Sequence, residues 1–215
     1  MKNSQTIDII LRNTQEDDYR EVENMTREAF WDVYKAGCDE HLMVRQLHEA
    51  SAYIKELDFV AVHDGRIVGN VLCSKGIVKS EVESNEWEVV CIGPIGVLPE
   101  YQGKGIGSRL MREAIKSATQ IGAKGIVLYG NPAYYHRFGF ENAIKYGIRT
   151  SWGANFEEFM TLELMEGSLQ GIQGNCYEDA AFEIDKEKLE EFEKGFPAKE
   201  SYFSSRNILD KKETI

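Results

Sequence analysis

Between Trp87 and Gly122 the sequence allows only one succession of elements: a strand, a tight turn and a helix. Trp87 to Val97 is long and mostly apolar, the pattern of a strand covered on both faces, which belongs at the centre of a sheet. Pro99-Glu100-Tyr101 ends that run, and Gly103, Gly105 and Gly107 follow at alternate positions. From about Gly105 to Ile121 an apolar face recurs at Ile106, Leu110, Ala114, Ala118 and Ile121, and Gly122 closes the expected helix. A glycine-rich turn at a helix start lets backbone approach an anion, and the free amides of the first turn point at it. Four basic residues (Lys104, Arg109, Arg112, Lys116) stand against one acidic residue, Glu113, between Gln102 and Ile121. That local excess fits a polyphosphate ligand.

The flanking sequence predicts a sheet around this unit. Ile7 to Leu11 reads as a strand, about Asp17 to Trp31 as a helix, and about His41 to Ala50 as a second helix using Leu42, Val44, Arg45 and Leu47. Asp64-Gly65 between Phe59–Val62 and Ile67–Cys73 is a strong short-range hairpin signal. A further hairpin joins Val71–Val78 to Trp87–Val97 through a polar turn containing Ser84-Asn85. Gly125 to Tyr129 is a short apolar strand, and Asn131-Pro132 supplies an N-cap and first-turn proline for a short helix through about Phe138. Ala143–Thr150 and Phe159–Leu164 are expected to pair as two more strands. After Glu166 the pattern weakens into a Gly-rich stretch, a charged helix near Asp185–Lys194 and a polar end.

The length of 215 residues suits one substantial core with an appendage, divided as a domain over residues 1–165 and an acidic C-terminal extension over 166–215. The net charge is −11, and residues 151–215 hold 15 acidic against 7 basic side chains. Such a balance repels phosphate backbones, so no nucleic-acid partner is expected, whereas a cationic amine is mildly attracted. The four cysteines form no CxxC pair, which gives no disulfide framework and no Cys-rich zinc site, and no metal is expected. Met1–Arg12 lacks the features of a secretory signal and no stretch has transmembrane length, so a cytoplasmic protein with no membrane partner is the expectation.

Spacing separates the phosphate-binding turns. A Walker A loop requires glycine where Leu98 stands and a hydroxyl residue where Gly105 stands, and a dinucleotide fingerprint requires a third glycine where Ser108 stands. Gln102-x-x-Gly105-x-Gly107 directly after a strand instead resembles the coenzyme A pyrophosphate loop of the GNAT acetyltransferases. About thirty residues on, Tyr135-His136-Arg137-Phe138-Gly139-Phe140 matches the Tyr-x-x-x-Gly-Phe segment of that superfamily, in the right order and after another strand. Gly-Pro-Ile-Gly-Val-Leu-Pro-Glu-Tyr-Gln-Gly and Tyr-Tyr-x-Arg-Phe-Gly-Phe look most like the bacterial YhbS-type predicted N-acetyltransferases.

The resemblance covers about residues 7–165 and implies an α/β (α+β) fold: a central mixed, mostly antiparallel twisted sheet flanked by helices, here with the C-terminal extension. It implies direct transfer of the acetyl group of acetyl-CoA to a primary amine of a small molecule or protein, with no acyl-enzyme. Ile95, Gly96 and Val97 would meet the pantetheine arm, one amide there acting as an oxyanion donor. Gln102, Gly103, Lys104, Gly105, Ile106, Gly107 and Ser108 would hold the pyrophosphate. Tyr135 would protonate the departing thiolate, with Tyr134 its competitor. Asn131 is first a helix cap and second a candidate cofactor contact, because the family asparagine normally lies farther from the tyrosine. Glu86, Glu88, His136, Cys91 and His41 are weighed as bases or nucleophiles, and none is chosen, since a solvated or structural role is commoner for each. The acceptor pocket is expected between Asp17–Ala50 and Ala143–Leu164. The extension is expected to cap that pocket, to mediate a homodimer, or to be a surface addition. A non-catalytic acyl-CoA-binding sensor or interaction module is the alternative from another class.

Overall fold

The computed structural model describes residues 7–203. Residues 1–6 of the N-terminal stretch and 204–215 of the expected extension lie outside the described residues. The chain opens with β1 (Ile10–Asn13), followed by helices α1 (Tyr19–Phe30) and α2 (Glu40–Glu49). Strands β2 (Phe59–His63), β3 (Arg66–Lys79) and β4 (Glu86–Val97) lead to helix α3 (Ile106–Gln120). Then come β5 (Gly125–Tyr129), the one-turn helix α4 (Pro132–Tyr135), β6 (Glu141–Asn142), β7 (Ile148–Arg149), β8 (Phe159–Glu163), β9 (Gly174–Tyr177) and helix α5 (Lys186–Glu193).

The strands form one mixed sheet in the order β1-β2-β3-β4-β5-β8-β6, with β9 pairing β3 and β7 off that path. Among the described residues, only the β4–β5 and β7–β9 pairs are parallel. The long apolar β4 is central, as its sequence requires. Asp64 (φ 47°) and Gly65 (φ 77°) turn β2 into β3, both left-handed as a two-residue hairpin needs. The two apolar runs expected on either side of Cys73 are one 14-residue strand.

Positions where glycine replaces a side chain identify the two layers. A Cβ on Gly96 would meet Ala29 and Phe30 of α1, and one on Gly93 would meet Leu47 of α2. A Cβ on Gly69 would meet Leu110 of α3 on the opposite face. The helices thus sandwich the sheet, with Val22, Met25, Val44 and Leu47 buried on one side and Ile106, Leu110, Met111, Ala114 and Ala118 on the other. A second buried cluster, including Val89, Cys91, Val127, Phe159, Leu169, Ile172 and Cys176, lies toward the far end of the sheet.

Four expectations need correction. Arg45 does not join the buried face of α2; it is exposed and pairs with Glu23 and Glu49, while His41 takes the buried place. Ile121 is half exposed because the helix has already ended, and Gly122 (φ 79°) sends the chain on with Ala123 N–H bonded to Ala118 O at 3.0 Å. Ala143–Thr150 is not a strand partner of Phe159–Glu163. It folds as a 3-10 turn over Ala143–Tyr146 and the two-residue β7, while β8 pairs β5 and β6. Nor is the segment after Glu166 a surface addition, since β9 enters the sheet beside Ile77–Lys79. Gly174 (φ 141°) makes that approach possible: a Cβ there would fall 1.9 Å from Lys79 O.

α2 is tied to the sheet by one buried carboxylate. Asp58 accepts hydrogen bonds from Thr14 Oγ1 (2.5 Å), Tyr53 Oη (2.7 Å), Asn70 Nδ2 (2.8 Å) and His48 Nε2 (2.9 Å), with the His48 ring stacked on Tyr19 at 3.7 Å. Removing the acceptor strands four buried donors at once. Asp58→Ala should therefore cost at least about 3 kcal/mol in denaturant unfolding, the scale of breaking a buried charged network from one side. A loss under about 1 kcal/mol would show that the network does not carry the junction.

Candidate active site

β4 and β5 are neighbours over only two residue pairs, Val90↔Ile126 and Cys91↔Val127. Beyond them the strands part, and Ile95, Gly96 and Val97 pair with Val71, Asn70 and Gly69 of β3 on one side only. The β3–β4 register also slips there: the three residues from Val71 to Cys73 face the four from Ile92 to Ile95, so β4 carries one extra residue around Gly93-Pro94. The bulge re-aims backbone amides at the point where the gap to β5 opens. On the other rim, β5 is drawn toward β8, with Tyr129 paired to Phe159 and Gly130 N–H bonded to Glu158 O.

The turn after β4 aims at the same gap. Gly103 (φ 71°) and Gly105 (φ 78°) are left-handed, and a Cβ on either would stand in open space. Gly105 is the N-cap of α3 with no side chain capping the helix, and the first intrahelical bond is Arg109 N–H to Gly105 O at 3.1 Å. The amides of Ile106, Gly107 and Ser108 therefore begin the helix without intrahelical acceptors, the arrangement that receives an anion. Gln102 folds back, its Nε2 donating to Val97 O at 3.0 Å and tying loop to strand. The basic excess is only partly directed here. Lys104 donates to Glu100 O (2.6 Å) and Arg112 lies beside Ser108 O (3.5 Å), but Arg109 reaches back to Ile9 O and Lys116 pairs with Glu113.

α4 forms the opposite wall. Asn131 caps it, its side chain accepting from Ala133 N–H at 3.0 Å, which is the first of the two roles expected of it. The two tyrosines diverge. Tyr134 is half-buried, and its hydroxyl lies over the turn, 3.1 Å from where a Cβ on Gly107 would be. Tyr135 is buried, with its ring laid on Gly130: a Cβ there would be 2.1 Å from Tyr135 Cε2. Burial, then the neighbouring Tyr134 and Tyr34, raise the Tyr135 phenol above its ordinary value. Its proton is thus retained through neutral pH.

The weighed bases and nucleophiles lie elsewhere. Glu86 and Glu88 are exposed and paired to Lys79 and Lys75 at the start of β4, roughly 20 Å or more from Ile95 at about 3.3 Å per residue. His136 Nδ1 bonds Phe140 O at 2.9 Å and shapes the turn at Gly139. His41 is buried between Phe192 and Phe196 with Nε2 2.8 Å from Glu193, and Cys38 Sγ lies 3.4 Å from its Nδ1. That chain resembles a nucleophile relay, but burial pushes the Cys38 thiol up to about 12, and Arg27 O accepts from it. Cys91 is wholly buried and also raised. Among the described residues no group of three His, Cys, Asp or Glu side chains is arranged to hold a metal ion, and no helix is long and apolar enough to cross a membrane. Sequence patterns did not single out Tyr34 of the α1–α2 loop, whose phenol acts on Tyr135, or the pair Tyr129 and Phe156, which stack at 5.9 Å between the end of β5 and the β7–β8 loop; an isolated aromatic in a loop carries no periodic signal.

Comparison with known proteins agrees with this geometry. The acetyltransferase (GNAT) domain family matches residues 56–142. The chain is 31% identical over 119 residues to the uncharacterized N-acetyltransferase YhbS of Escherichia coli K12, covering 55% of this chain and 69% of that protein. It is 33% identical over 99 residues to the uncharacterized N-acetyltransferase YjhQ of the same strain, spanning 46% of this chain and only 54% of YjhQ. Among solved structures, Escherichia coli YhbS in complex with CoA superposes with a TM-score of 0.71 at 25% identity, over 85% of this chain and 96% of that one. A GNAT family acetyltransferase from Brucella melitensis in complex with acetyl-CoA gives 0.65 at 29% identity, over 82% and 99%.

The turn itself can be tested. Gly105→Val would force a β-branched residue into a left-handed conformation and put its side chain into the open space above the turn, at a backbone cost of about 1–3 kcal/mol. Coenzyme A affinity measured by calorimetry should fall at least tenfold while the protein stays folded. Normal affinity in a folded Gly105→Val protein would remove the turn from the site.

Proposed function

Since this chain belongs to the GNAT acetyltransferases, we propose that it is an N-acetyltransferase moving the acetyl group of acetyl-CoA directly to a primary amine of a small molecule or protein. The observation that carries the reading is the convergence of three features on one gap: the parting of β4 from β5, the uncapped start of α3, and the buried phenol of Tyr135. Residues 1–165 would form the acetyltransferase domain and 166–215 its extension.

Acetyl-CoA supplies an acyl group already activated as a thioester. Gly103, Lys104, Gly105, Ile106, Gly107 and Ser108 offer amides to its pyrophosphate, with Gln102 bracing the turn against Val97. Ile95, Gly96 and Val97 offer the unpaired edge of β4 to the pantetheine arm, and an amide by the bulge faces the carbonyl as an oxyanion donor. Tyr135 donates its phenolic proton as the thiolate leaves. The site asks nothing of a thiol nucleophile, and all four cysteines are buried and free.

Coenzyme A at a hundredfold excess over its dissociation constant should stabilise the protein by about 2.7 kcal/mol, and NAD should not. A melting curve that shifts with NAD alone would overturn the assignment. Stabilisation without thiol release on any amine would favour an acyl-CoA-binding sensor.

Tyr135→Phe keeps the ring on Gly130 and removes only the donor. Turnover should fall by about 10²-fold, the low end of general-acid effects because a thiolate leaves readily, with coenzyme A affinity unchanged. Because burial raises this phenol, the high-pH loss of wild-type rate should begin above the usual value of about 10, and the variant should lack it. Tyr134→Phe should act instead on coenzyme A affinity. If it abolishes turnover while Tyr135→Phe does not, the donor is Tyr134.

A further inference from the structure

An amine that attacks a thioester must first lose a proton, and the acids of β4 and α3 are already paired, Glu86 to Lys79, Glu88 to Lys75 and Glu113 to Lys116. The C-terminal segment brings one. β9 pairs Tyr177 with Ile77 and Cys176 with Val78, so its register runs on to set Glu178 beside Gly76. Gly76 has no side chain to cover it: a Cβ there would collide with Cys91 Sγ at 2.3 Å. Glu178 leaves the strand two residues after the buried Cys176, on the side that holds Cys91 and Tyr129. Burial chiefly raises the Tyr129 phenol and the contact with Cys176 the Cys91 thiol, and the charge of Glu178 adds to both.

Tyr129 ends β5 at the mouth of the gap, level with Gly93 by continuation of the β4–β5 register. It is partly exposed and packs on Phe156 (5.9 Å) and Phe159 (4.9 Å). This is the face of the sheet on which α2 lies, since Gly93 looks toward Leu47. Glu178 has no hydrogen-bond or ion-pair partner among the described residues. The charges around it are committed: Lys75 to Glu88, Lys79 to Glu86, and Asp179 to the Ala181 amide. Burial alone pushes its carboxyl up to about 7. On its other side it opens on a groove of about 620 Å³ bordered by Ser51, Ala52 and Lys75, which gives a returning proton a path to water. Of the other acids on this face, Asp58 is held by four donors, Glu23 pairs with Arg20 and Arg45, and the half-buried Glu40 accepts the Asp39 amide at 3.1 Å at the start of α2.

Building on the acetyltransferase reading above, we propose that Glu178, supplied by the C-terminal segment, is the base that deprotonates a cationic primary amine entering beside Tyr129 and Phe156. The carboxylate takes one proton from R–NH3+, and the nitrogen lone pair forms the C–N bond. The C–S bond breaks with its electrons on sulfur, which takes the Tyr135 proton. The surplus proton on the new amide nitrogen restores the phenol through water, and Glu178 releases its own proton through the groove. Acetyl-CoA and R–NH3+ become R–NH–acetyl, CoA–SH and one H+.

The test is thiol release from acetyl-CoA with putrescine, spermidine, an alanyl tripeptide and Nα-acetyl-lysine amide, followed against pH. The unaltered protein should show a rate that rises with a midpoint near 7. Glu178→Gln should lose about 10² to 10⁴-fold at pH 7, lack that midpoint, and recover toward higher pH as the free amine forms by itself, with its coenzyme A thermal shift intact. Glu178→Asp should keep part of the limb, and Glu88→Gln, which alters another carboxylate of the groove, should keep all of it. A Glu178→Gln profile that matches the unaltered protein overturns the base assignment alone. No thiol release by the unaltered protein with any of the four amines overturns the acetyltransferase reading and this inference together.

Discussion

The brevity of the parallel β4–β5 pairing governs the molecule. Two residue pairs hold the strands together, and above them each turns to its other neighbour, β4 to β3 and β5 to β8. Backbone groups that a closed sheet would satisfy internally are left facing a gap, where an extended ligand can take the place of the missing strand. The extra residue in β4 falls at the fork. α3 must start immediately above it, because β4 runs without interruption into the turn that Gln102 pins to Val97.

The parting would weaken the sheet if nothing held its two halves, and the stabilising contacts lie outside the gap. Asp58 draws α2, the β1–α1 junction and β3 onto one carboxylate. The C-terminal segment then binds the outer surface of α1: Glu193 is bonded to both Arg27 and His41, Phe196 lies under Arg20 at 3.9 Å, and Trp31 donates its indole N–H to Glu200 O. β9 closes the far end of the sheet beside β3. The acidity concentrated in this region is thus partly structural, spent on pairing with cations of α1 rather than on solvation alone.

Where local chemistry decides conformation, the sequence was legible to the residue. Phe59–His63 with the Asp64-Gly65 turn, Gly125–Tyr129 and the Asn131 cap all follow from side chains acting on their own backbone. The glycine turn was legible for the same reason, since Gly103 and Gly105 occupy conformations that other residues avoid. Ala143–Thr150 misled because its apolar residues answer to β9, distant in sequence, instead of to a period along the segment. Arg45 and Ile121 misled because a helical face counted from spacing alone cannot register where the neighbouring layer stops.

By itself, the sequence determined the order of strands and helices from β1 to α4, the anion-receiving turn and the paired tyrosines, since spacing along the chain is enough to set backbone conformation over a few residues. Tertiary structure alone decided which tyrosine hydroxyl lies over the turn and which ring is buried on Gly130. It also decided that a weakly patterned C-terminal segment enters the sheet beside β3 and half-buries Glu178 with no hydrogen-bond or ion-pair partner among the described residues. Those outcomes depend on desolvation and on contacts between residues far apart in the chain, and neither quantity exists until the layers have closed.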